Sequence, residues 1–96
     1  MSIESKISVL QSKLNSQEYV DGVWYRRNHM AYTLVCYVNI LSGLLTSKNY
    51  EGVEVQTGRI KTFLASGGDK YVTPAYVSLV SEFVACAEEF VASDNH

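Results

Sequence analysis

The chain has 96 residues, a length that fits one domain. Apolar side chains make up 47%, enough for a packed core, while charged residues make up 19%, below the usual ~25%. The formal net charge of −2 argues against binding to bulk nucleic acid, which normally needs a basic face, and the plentiful aromatic and branched side chains argue against disorder. So low a charge content in so small a chain favours an apolar surface covered by a partner or a second copy.

The first element is expected from about Ser2 to Ser16. Ile3, Ile7, Leu10 and Leu14 recur at steps of four, three and four, which places them on one face of a helix. Ser2 caps its start and Glu4 suits the positive end of the helix dipole. The stripe is narrow and stops after two heptads, too short for a free coiled coil, so this helix must dock on the rest of the domain or on a twin.

Residues 18–25 carry two readings. Asp21-Gly22 between apolar pairs is a hairpin signal, but the flanks are short. A helix that starts near Gln17 or Asp21 and continues is preferred. From about Arg26 to Ser47 the pattern is clearest. Met30, Leu34, Tyr37, Val38, Leu41, Leu44 and Leu45 form a wide apolar face, as in a central bundle helix. Gly43 inside it is expected to permit close approach of a neighbouring helix.

Lys48 to Gly52 reads as a turn. The third element, Gly52 to Ser66, is mixed. Val53, Thr57, Ile60, Phe63 and Leu64 fit a helix, while residues 53–57 also alternate like a strand. No partner strand is in view, so helix is favoured. Gly67-Gly68 supplies a left-handed stop. Thr73-Pro74 opens the last helix, with Thr as cap and Pro at the first helical position. Val77, Val80, Phe83, Val84, Ala87 and Val91 form its stripe, with Glu82, Glu88 and Glu89 on a solvated face. Residues 93–96 read as a frayed tail. The sum is an all-α fold, a small antiparallel bundle of about four helices in one domain.

Chemistry-bearing motifs are sparse. His29 and Cys36 lie seven positions apart on one helix, hence about 10 Å apart along its axis, too far for a nucleophile and its base. Cys36 and Cys86 read as buried thiols of a reducing cytoplasm. There is no HExxH, CxxC or EF-hand loop, so neither a metal nor a cofactor is expected. Gly67-Gly68-Asp69-Lys70 follows a helix and lacks the rest of a P-loop. The Met1 end has no basic, apolar leader, and the apolar run Ala31–Leu45 is shorter than the ~20 residues of a membrane span.

One segment stands out. Trp24, Tyr25, Arg26, Arg27 and His29, with Tyr32 a turn further on, concentrate the residue types of interface hot spots. The chain also carries seven tyrosines, which bury area while keeping a polar handle. The expectation is a non-enzymatic protein that acts through a partner protein, with a homodimer as one form of that. Adaptors, inhibitors and assembly subunits answer this description, as do small phage- or plasmid-encoded proteins that block a host complex. The runner-up is a nucleic-acid or nucleotide binder using Trp24, Arg26, Arg27, Arg59, Lys61 and Lys70.

Overall fold

A computed structural model describes residues 2–16 and 29–94. Among them the elements are α1 (Ile3–Leu14), α2 (His29–Thr46), α3 (Tyr50–Ala65), a single 3-10 turn (Gly68–Tyr71) and α4 (Pro74–Asp94). All four long elements are helices, and the fold is a small all-α bundle. The mixed third segment is helical from end to end. The segment 17–28, with its helix-or-hairpin alternative, lies outside the described residues.

Capping fixes the helix starts. Ser2 Oγ accepts from the Ser5 amide at 3.1 Å, Asn49 Oδ1 from the Gly52 amide at 3.0 Å, and Thr73 Oγ1 from the Tyr76 amide at 3.2 Å. Each satisfies one of the amides that a helix start leaves without a partner. Asn49 is where the sequence reading needs correction. Tyr50, Glu51 and Gly52 are not turn but the first turn of α3, nucleated by that cap and held by Tyr50 packing on Phe90 of α4, ring centroids 5.3 Å apart. The true connection is three residues. The Asn49 amide donates back to the Leu44 carbonyl at 3.0 Å, and Lys48 takes the left-handed conformation, φ 57°. That is a Schellman-type ending with lysine in the place usually held by glycine. Gly67, φ 94°, ends α3 as expected.

The packing order follows. α2 lies on α3, α3 on α4, and α4 on α1. Gln11 of α1 closes the circuit by donating to Ser42 Oγ of α2 at 2.7 Å. α1 runs antiparallel to α4, because Leu14 shares a small cavity with Tyr76 while Lys6 acts on Cys86. α2 and α3 are antiparallel too. Leu44 meets Gly52 near their short connection, and Tyr37 meets Phe63 farther away.

The α1 stripe docks as its spacing requires: Ile7, Leu10 and Leu14 are buried and Ile3 packs against the core. Leu34, Leu41, Val53, Ile60, Val80 and Phe83 form its fully buried centre. At about 25 cal/mol per Å² of apolar surface, each such side chain contributes roughly 1.5–3 kcal/mol. Tyr76, Leu79 and Phe90 join this core beyond the expected α4 stripe, since a 21-residue helix serving two neighbours needs a wider apolar face. Ser93 and Asp94 belong to α4 rather than to a tail.

Two further expectations are corrected. Among the described residues Gly43 has no neighbour within 4 Å of where a Cβ would sit, so no close helix approach there requires a glycine. Cys36 and Cys86 are free thiols but only half-buried: Cys86 lies at the margin of the inward arc of α4, and Cys36 lies on the arc of α2 turned away from Leu34 and Leu41. Among the described residues, no helix is long and apolar enough to cross a membrane.

Candidate functional site

α2 carries no Asp, Glu, Lys or Arg over its 18 residues. One arc of it faces the core through Leu34, Val38, Leu41 and Leu45. Steps of four carry Tyr32, Cys36 and Ile40 along the opposite arc, where Tyr32 is 50% and Ile40 49% exposed. A helix that is apolar on its outer face as well as its inner one leaves surface that water does not favour.

That surface meets α3 in a groove. At one end Met30 and Tyr37 of α2 face Val55, Arg59 and Phe63 of α3, and Tyr71 of the 3-10 turn closes the end; this part has a volume of about 650 Å³. It continues past Val55 and Arg59 into a second hollow of about 380 Å³ beside Ile40 and Leu44. Val55 is 52% exposed. On α3 the wall is the ridge Glu51, Val55, Arg59 and Thr62, continued by Ser66 at its C-cap, spaced by four, four, three and four.

The aromatic end is closely packed. Tyr37 and Phe63 meet edge to face, 6.0 Å between centroids and 81° between planes. Gly68 packs so closely on Phe63 that a Cβ would lie 2.2 Å from its ring. Lys70 Nζ lies 5.3 Å from the Tyr71 ring centroid, a cation–π contact on the rim. Beneath the groove, Gln56 is buried and donates to the Tyr37 carbonyl at 3.1 Å. Its oxygen accepts a long contact, 3.4 Å, from Arg59. Arg59 itself is exposed and has no carboxylate partner among the described residues.

Of the residues singled out from sequence, Tyr32 is exposed on α2 next to this surface, and Ile40 links its outer arc to the groove. His29 is the first residue of α2. Trp24, Tyr25, Arg26 and Arg27 lie outside the described residues. Arg59 and Lys70 sit at the groove, but Lys61 points the other way and pairs with Glu88 of α4. The groove residues Tyr37, Phe63 and Met30 were read as core; their half-burial is what the sequence pattern missed. Among the described residues, no three His, Cys, Asp or Glu side chains come close enough to hold a metal ion.

No family model matches this chain, and neither curated proteins nor solved structures gave a match.

Proposed function

We propose that the protein is a non-enzymatic binding module whose α2–α3 groove takes a helix of a partner protein. One observation carries the reading: an aromatic-lined groove runs along an uncharged helix and continues into the exposed Ile40 and Val55. Recognition of an amphipathic helix rests on apolar anchors laid into such a channel. Arg59 stands on its wall with no carboxylate partner among the described residues, so the occupant fits best with an apolar face and an acidic residue beside it. Adaptor, inhibitor and assembly roles all use this chemistry.

The test is capture of a partner by three forms of the chain. Thr62→Arg fills the groove from an exposed position, and Ser78→Arg changes an exposed position on α4. One protein retained by the wild type and by Ser78→Arg, but lost with Thr62→Arg, supports the groove. Equal retention by both variants refutes it.

Arg59 and Lys70 beside Tyr71 and Phe63 favour a second reading, an oligonucleotide stacked on the aromatic end. The pairing of Lys61 with Glu88 and the net charge of −2 weigh against it. Titration with labelled single-stranded DNA and RNA at two salt concentrations decides: micromolar binding that weakens with salt supports it.

A further inference from the structure

A second groove lies on a different face, between α1 and α4. Its floor is Leu10, Ala85 and Cys86, with Val9 rising from it 42% exposed, and its volume is about 370 Å³. The two lips are opposite in charge. α1 supplies Lys6 and Lys13, one turn before and one turn after Val9. α4 supplies Glu82 and, two turns on, Glu89, whose charge acts on Cys86 together with that of Lys6. All four side chains are exposed, and none forms an ion pair among the described residues.

We propose that this face binds a second copy of the chain, with the two-fold axis running along the groove between α1 and α4. The charge pattern selects that axis. Because the two helices are antiparallel, Lys13 lies level with Glu82 and Lys6 level with Glu89. A two-fold axis along the groove preserves those levels and exchanges the lips. It lays α1 of each copy on α4 of the other, so that Lys13 meets the partner's Glu82, Lys6 meets the partner's Glu89, and Val9 drops onto the partner's Ala85. A two-fold axis across the groove lays α1 on α1 and sets lysine against lysine. An isologous contact needs a self-complementary surface, and only the first axis makes this one so. The contact is small, which places the dimer among weak, salt-sensitive ones.

Sedimentation equilibrium in low salt at high micromolar concentration reads the outcome. The wild type is expected to move from 10.7 kDa toward twice that mass, and added salt to return it. Two double variants, Lys6→Glu with Lys13→Glu and Glu82→Lys with Glu89→Lys, are each expected to stay monomeric. Mixed one to one, they are expected to form a heterodimer, since each then offers the lip that the other lacks. A folded wild type that stays monomeric, a dimer indifferent to both swaps, or variants that do not associate on mixing would overturn the proposal. Thr62→Arg in the other groove leaves this dimer unchanged, so failure here and failure of the partner groove are told apart.

Discussion

Gln56 reaches from α3 to the backbone carbonyl of Tyr37 in α2 at 3.1 Å, and it does so 1% exposed. A buried amide at a helix–helix contact is costly unless its partners are met, and here they are met on both ends. The bond fixes the level of α2 against α3 beneath the groove, so the groove's shape depends on a residue that lines only its far part.

Replacement of Gln56 tests this. Gln56→Ala removes the bond and leaves a cavity, and is expected to cost about 2 kcal/mol. For a chain this small that lowers the melting temperature by roughly 10 °C. Gln56→Leu keeps the volume, and the Tyr37 carbonyl keeps its helical partner, so about 1 kcal/mol is expected. Urea titration of the three chains gives the order. A Gln56→Leu chain as stable as the wild type would show that packing, not the amide, is at issue.

The glycines divide into two sorts. Gly43 and Gly58 are exposed in helix interiors with open space where a Cβ would go. Gly43→Ala and Gly58→Ala are each expected to stabilise by about 0.5–1 kcal/mol. Gly58→Ala also adds a methyl group to the groove wall and is expected to weaken partner capture while stabilising the fold. Gly68→Ala drives a Cβ into the Phe63 ring and within 2.5 Å of its carbonyl, which forces the 3-10 turn to move. A loss of about 1–3 kcal/mol is expected. Lys48 is the converse case: Lys48→Gly relieves a left-handed lysine and is expected to gain up to about 1 kcal/mol. Thermal melts of the four variants check all signs at once.

The same residues show how far the fold was legible from sequence. Step-four and step-three spacing of Ile3, Ile7, Leu10 and Leu14 predicts both α1 and the face it buries. Thr73-Pro74 and Gly67 mark a start and a stop that the structure keeps. Tyr50 to Gly52 was missed because the helix there rests on one non-local feature, the packing of Tyr50 on Phe90, and follows a lysine in the usual glycine place. The groove was illegible for a related reason. Periodicity tells which residues are apolar, not which of two apolar arcs the core takes. Met30, Tyr37 and Phe63 repeat in phase with the core and yet lie half outside it. Val55, at the centre of the groove, was one beat of an apparent strand.

Cys86 offers a probe of the α1–α4 face. Its thiol is pushed above the ordinary cysteine range, first by burial and then by the charges of Glu89 and Glu82, with Lys6 opposing them. The thiolate is the reactive form, so alkylation of Cys86 in a Cys36→Ser chain is expected to be slower than that of a free thiol at pH 8 and to rise through higher pH. Glu89→Gln removes a raising charge and is expected to speed the reaction; Lys6→Gln removes the lowering one and is expected to slow it. Rates with iodoacetamide followed by mass spectrometry decide. Equal rates in the three chains would mean that these charges do not reach the thiol.

Tyr76 is expected to make the fold sensitive to alkaline pH. It is 2% exposed, beside a cavity of about 50 Å³ that Asn15 and Asn39 also line, and burial pushes its phenol well above the ordinary value of 10.0. The folded chain therefore holds this proton after the unfolded chain has begun to lose it. The sign follows: stability tied to the neutral phenol is intact below pH 10 and falls as pH rises past that point, by up to ~1.4 kcal/mol per pH unit. Tyr76→Phe removes the titrating group and keeps nearly all the volume, so the two chains are expected to differ little at pH 7. Above pH 10 the wild type should lose stability faster, and the gap between the two urea midpoints should widen with each step. Parallel curves up to pH 11 would mean that the ring opens to water before it ionises, and that α4 is held against α1 less firmly at this point than its burial implies.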